Sequence, residues 1–140
     1  MLVVDTNVAS ELMRPSPTPS VVAWIAERDA SAMYLTAVSE AELRFGVAIL
    51  PAGKRRTALE AAMRRWLEIG FADRILPFDS ASARAYAEIA ADRRGAGRPI
   101  GEADCQIAAI SRSRGATLVT RNVRDFEGTG VDVLDPWTTE

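Results

Sequence analysis

Histidine is missing from all 140 residues of this chain. Its absence excludes Ser-His-Asp and Cys-His catalysis, histidine-bound zinc and RNA cleavage by paired histidines. Cysteine occurs once, at Cys105, so neither an intramolecular disulfide nor a thiolate metal cluster can form. A reducing cytoplasm is the expected compartment. The first residues carry no basic n-region and meet an acid at position 5, so no secretory leader is expected. The longest apolar run, Val21 to Ala26, is far too short to span a membrane. Charge of one sign is also lacking: 17 basic residues face 19 acidic ones, net −2. A generic basic nucleic-acid binder would be far more positive. Lysine is nearly absent, with Lys54 alone. The other basic residues are arginines, which suit planar phosphate recognition better. Aromatic residues make up only 6% of the chain, few for a surface that grips single strands by stacking.

What remains is 48% apolar, enough core for one domain over residues 1–140. Short apolar runs alternate with helical patterns. Val3-Val4, "MYLT" (33–36), "RILPFD" (74–79), "ATLVTRN" (116–122) and "VDVLDPW" (131–137) read as strands. Helices are predicted over Asn7–Met13, Val21–Asp29, Val38–Leu50, 55–69, from Asp79 or Ser80 to about Gly95, and over 101–114. The 55–69 segment is the clearest amphipathic pattern, with Leu59, Ala62, Met63, Trp66 and Leu67 on one side. It reads either as a helix packed on its own sheet or as an arm offering surface to another chain. Strands separated by helices predict an α/β fold of three layers, with a central parallel sheet flanked by helices.

In such sheets ligands bind beyond the carboxyl ends of the strands. Asp5 stands at one such end, and Thr120, Arg121 and Asn122 at another. A carboxylate closing a buried strand needs a cationic or hydrogen-bonding partner. On the third helix, Glu42 shares a helical face with Val38, Ala41, Phe45 and Ile49, whereas Glu40 faces nearly the opposite way. On the 101–114 helix, Asp104 shares a face with Ile100, Ile107, Ala108 and Ser111, and Glu102 points elsewhere. Asp5, Glu42 and Asp104 thus occupy places that a simple core would give to apolar residues. Brought together, three carboxylates repel, and one would be driven to protonate. A hard divalent cation removes the conflict, and oxygen-only ligation favours Mg²⁺ or Mn²⁺ over zinc.

At these residues a resemblance becomes specific. "VVDTNV", "SEAELRFG", "IGEADCQIAA" and "LVTRNVRDF" resemble the motifs of PIN-domain nucleases, in order and spacing over essentially the whole chain. The "RILPFD" strand and the closing "DPW" resemble the VapC and FitB branch, the toxin halves of bacterial toxin–antitoxin pairs. The resemblance implies a PIN-like fold and Mg²⁺- or Mn²⁺-dependent endoribonuclease activity by metal-activated water, leaving 5′-phosphate and 3′-hydroxyl ends. It implies a homodimer held with a VapB- or FitA-like antitoxin, with no membrane association. Carried over residue by residue, the catalytic and metal-binding acids are Asp5, Glu42 and Asp104. The fourth catalytic position falls on Asn122, where many relatives have aspartate. Asparagine adds no charge, which puts a tightly held second metal in doubt. Asp125 is a candidate substitute, or else a turn residue in "VRDFEG". Thr6 and Thr120 are candidates to orient a carboxylate or a water, or else caps of the segments that follow.

Arg98 and Arg121 are candidate RNA contacts, with Arg44 beside Glu42 as a third. Cys105, Trp24, Trp66 and Phe45 read as core. Two rival functions stand beside the nuclease. An aspartyl phosphatase would need an acid where Asn7 stands and a well-placed lysine. A PIN-like module that binds RNA or a partner without cutting would tolerate Asn122.

Overall fold

The computed structural model describes residues 1–138. Leu2–Val4 form β1, the centre of a five-stranded sheet. Val3 and Val4 point to opposite faces, and both are buried. Val3 packs with Ile89, Ile107 and Leu118, and Val4 with Val8, Trp24, Leu35 and Leu67. A strand covered on both faces has no polar side to show, which explains the unbroken apolar run.

Five helices of two or more turns and a shorter first one alternate with the strands. They are α1 (Thr6–Leu12), α2 (Pro19–Ala26), α3 (Ala37–Ala48), α4 (Lys54–Arg65), α5 (Ser80–Gly95) and α6 (Glu102–Ser113). The other strands are β2 (Met33–Thr36), β3 (Ile75–Leu76), β4 (Thr117–Val119) and β5 (Val133–Leu134). The order is β3-β2-β1-β4-β5, and every pairing is parallel. The chain therefore winds outward from β1 to β2 and β3, then crosses back to β4 and β5. The three-layer parallel sheet expected from the sequence is borne out, with a switch point between β1 and β4, where such folds place their ligands.

Several boundaries differ from expectation. The amphipathic segment does not run as one helix to position 69. After α4 the chain widens into a π-helical turn, Trp66–Gly70, in which the Phe71 N–H reaches back to the Trp66 carbonyl at 3.1 Å. That turn stacks the Trp66 and Phe71 rings 4.9 Å apart and buries Phe71. The strands are shorter than their apolar runs because pairing stops where the chain turns into a helix or towards the site. Two 3₁₀ turns, Ala30–Ala32 and Val123–Phe126, lie where no helical period is visible. Gly115 ends α6 with φ +63°, a left-handed conformation that glycine adopts without strain.

Trp24 and Cys105 are core residues, as expected, and Trp66 is half-buried. Phe45 is not: 64% of it is exposed, as is 65% of Ile49, one turn further along α3. The α3 face that carries Glu42 therefore looks outward, and the buried positions are Ser39 and Leu43. The helical period located an apolar stripe correctly but assigned it to the interior. Among the described residues, no helix is long and apolar enough to cross a membrane.

Candidate active site

The register Val4↔Val119 brings the ends of β1 and β4 side by side. Asp5 and Thr120 follow directly, and the Asp5 N–H bonds the Val119 carbonyl at 2.9 Å. Asp5 is buried, and its partners are hydrogen-bond donors rather than a cation. It caps α1 through Oδ1, which accepts from the Thr6 N–H at 2.8 Å. Its Oδ2 accepts from the Thr120 hydroxyl at 2.7 Å. Burial raises the Asp5 pKa, these two hydrogen bonds lower it, and the nearby Glu42 and Asp125 charges raise it again, for a net rise.

Thr120 also accepts from the Asn7 amide at 3.2 Å and from the Asn122 N–H at 3.1 Å. Its single donor and both lone pairs are in use, so the hydroxyl is locked. Asn7 in turn accepts from the Arg121 N–H at 3.3 Å. Asn7 thus ties the end of β4 to the start of α1. Sequence reasoning weighed it only as a missing phosphatase acid. Its place three residues past a strand end was the signal that could have found it.

Glu42 reaches the site through a partner rather than through its helical face. Thr6 Oγ1 lies 2.8 Å from Glu42 Oε1 and 2.8 Å from Ser39 Oγ. Ser39 is pinned at the start of α3 by Thr36, whose Oγ1 accepts the Ser39 N–H at 3.0 Å. Thr6 therefore positions a carboxylate. Ser39, hidden in "AVSEAE", was the second residue missed. Glu40 belongs elsewhere, paired with Arg44 at 2.9 Å.

Asp104 sits in the first turn of α6, half-buried. Its pKa is pushed up to about 6, first by burial, then by the charges of Asp5, Asp125 and Glu42; only Arg93 opposes them. The four acids therefore share one electrostatic environment. Among the described residues, however, no group of three ligand-type side chains stands close enough to cage a metal. The tight three-carboxylate cage expected from the sequence is not preformed.

The candidate RNA contacts are all engaged within the protein. Arg98 pairs with Glu127 at 3.2 Å, and the Arg121 guanidinium lies 4.9 Å over the Trp137 ring. Asn122 and Asp125 are exposed, at the entry to and inside the 123–126 turn. Burial pushes the Cys105 thiol up, so it is inert packing. Beside Thr6 and Glu42 opens a mainly apolar groove of about 660 Å³, walled by Met13, Leu43, Val47, Leu59 and Ala62.

A parallel sheet with acids meeting at its switch point is shared by many hydrolases, so family membership depends on the whole chain. The PIN domain family model matches residues 2–131. The chain belongs to the PIN-domain family. It is 42% identical to VapC ribonuclease Y4jK of Sinorhizobium fredii over 98% of each chain. It is 40% identical to toxin FitB of Neisseria gonorrhoeae, over 98% of this chain and 99% of that one. A solved structure of FitAB bound to a DNA fragment superposes with a TM-score of 0.94 at 40% identity, covering 100% of this chain and 98% of that one. Within the PIN domains, the chain falls in the VapC/FitB toxin branch.

Proposed function

We propose that this PIN domain is a Mg²⁺- or Mn²⁺-dependent endoribonuclease and the toxin of a toxin–antitoxin pair. The observation that carries the reading is the burial of acids at the switch point, where Asp5 meets only hydrogen-bond donors. A buried Asp5 without a cation and an Asp104 raised to about 6, first by burial and then by its acidic neighbours, form a site short of positive charge. The donor set is oxygen-only, which fits a hard cation. The open spacing of the acids fits Mg²⁺ too, because that ion keeps several of its waters and takes only one or two carboxylates directly. Asp5, Glu42 and Asp104 would hold it.

Bound there, the ion supplies Lewis acidity towards a phosphate oxygen and an activated water. The chain's own residues do the rest. Thr120 and the Thr6 N–H hold Asp5 in one rotamer, and Thr6 holds Glu42. Asp104 adds the third carboxylate from the first turn of α6. Arg121 can leave its stack on Trp137 to meet the RNA backbone, a geometry open to exposed cation–π pairs.

A FitA- or VapB-like antitoxin partner rests on the toxin relatives and on the apolar groove, which opens beside Glu42 and would seat an apolar segment close to the acids. The homodimer rests on the exposed Phe45 and Ile49. The test of activity is cleavage of purified RNA with end-group analysis. The expected result is 5′-phosphate ends in Mg²⁺, none in EDTA, and a loss of at least about 100-fold in Asp5→Asn. Cleavage that persists in EDTA and leaves cyclic phosphates would overturn the reading. A second reading, a binding module that no longer cuts, is favoured by Asn122 at the fourth position. It predicts no Mn²⁺ binding at millimolar metal and no cleavage.

A further inference from the structure

The "DPW" stretch (135–137) brings one of the chain's few aromatic rings to the edge of the acid site. Asp135 fixes the turn there, its Oδ1 accepting the Trp137 N–H at 2.8 Å. Trp137 is half-buried and, like Leu134, packs against the core cluster that holds Val4 and Val119, the last residues of β1 and β4. The Arg121 guanidinium lies over its ring, 4.9 Å from the centroid. Residue 121 follows Thr120 directly, and its N–H bonds Asn7 Oδ1 at 3.3 Å. The Asn7 amide in turn reaches Asp5 Oδ2 at 3.4 Å. One bridging side chain therefore separates the backbone of Arg121 from the buried carboxylate.

The other two candidate arginines, Arg98 and Arg44, are engaged by Glu127 and Glu40. Arg121 is exposed, and among the described residues its side chain makes no ion pair and no hydrogen bond. Its stack on Trp137 is easily exchanged. An exposed cation–π pair is weaker than a nucleic-acid base stacked on an indole, and a guanidinium released from the ring gains a charge-assisted contact on meeting a phosphate. Aromatics are scarce in this chain, but one ring is enough for one base. We propose that Trp137 and Arg121 form a nucleotide subsite, in which the indole stacks a base of single-stranded RNA and the guanidinium holds the phosphate beside that base. Such a subsite selects unpaired RNA, because a base within a duplex has no free face. This inference rests on the ribonuclease reading above and deepens it by naming the strand form that the site takes.

The test is binding of a labelled, unstructured RNA oligonucleotide, read by fluorescence anisotropy. Ca²⁺ replaces Mg²⁺ to neutralise the acids, since it too takes oxygen ligands. Trp137→Leu is expected to bind about tenfold more weakly than the natural chain, with no such loss on a duplex of the same sequence. Arg121→Ala should weaken binding and flatten the slope of log affinity against log salt by about 0.7. Arg121→Lys should restore the slope without the full affinity. Trp137→Phe keeps a ring and is expected to keep most of the affinity, while losing the quenching of tryptophan emission that RNA causes in the natural chain. If Trp137→Leu does not fold, the exposed Arg121 variants and the quenching carry the test. Natural affinity in Trp137→Leu and Arg121→Ala, an equal loss on the duplex, or quenching undiminished in Trp137→Phe would overturn the subsite and leave the ribonuclease reading standing. So would a natural chain that cuts RNA in Mg²⁺ yet does not bind the single strand. A natural chain that neither binds the single strand nor cuts RNA would overturn both.

Discussion

Asp104 carries the plainest electrostatic tension in the molecule. Its folded-state pKa of about 6 lies above the ordinary 3.8, so folding takes up a proton between those values. Stability is therefore unaffected by this group below about pH 4, falls as pH rises through 6, and stays reduced above it. The penalty at neutral pH is on the order of 1 kcal/mol once screening of a half-exposed group is allowed for. In EDTA, Asp104→Asn should be more stable than the natural chain at pH 7.5 by about that amount. The gap should close near pH 4, as read by urea unfolding at the two pH values. A variant less stable at both would show that the carboxylate is satisfied by some other group. Millimolar Mn²⁺ should raise the melting temperature of the natural chain and leave Asp104→Asn nearly unmoved.

At this scale the candidate acids could be picked out of the sequence, and their hydrogen-bonding supports could not. Asp5, Glu42 and Asp104 stand out because a charge interrupts an apolar pattern. Asn7 and Ser39 do not, because a small polar residue in a loop or helix start looks ordinary until its partner is known. The partner of Thr120 is 115 residues away. No local pattern contains such a pairing.

Among the elements, α3 bears most directly on the site, because its first turn sets where Ser39 and Glu42 stand. Thr36 is fully buried and caps that turn. Thr36→Val keeps the shape and removes the acceptor, and should lower stability by about 1 kcal/mol. The corresponding drop in melting temperature is roughly 4 °C. Because Ser39 then loses its anchor, RNA cleavage should fall as well, even at temperatures where the variant is folded. A variant that melts earlier yet cuts at the natural rate would separate the cap from the site. The element order was legible because each strand is a short apolar run bounded by a helix signal. The exact ends were not. The π turn at Trp66–Gly70 and the 3₁₀ turn at Val123–Phe126 are set by the burial of Phe71 and Phe126, which are tertiary events. The orientation of α3 was misread for a related reason. Periodicity reports that a stripe is apolar, not whether the molecule's own core or another surface covers it.

At the scale of the whole molecule, that outward stripe is the feature that most needs a cover. Phe45 and Ile49, one turn apart, are large and mostly exposed on the same side of α3 as Glu42. Burying them against a second copy would recover roughly 2 kcal/mol for each side chain. The natural chain should therefore run as a dimer in light scattering after size exclusion, and Phe45→Glu with Ile49→Glu should run as a monomer with an unchanged far-UV spectrum. A natural chain that stays monomeric at high micromolar concentration would assign the stripe to another partner.

The parallel winding also orders events during synthesis. Asp5 is made first, and the hydroxyl that locks it follows 115 residues later. A chain still short of β4 carries Asp5 without the clasp that aligns it. A shortened chain that stops before Thr120 therefore loses more than an edge of the sheet: it leaves the buried carboxylate at position 5 without its partner hydroxyl.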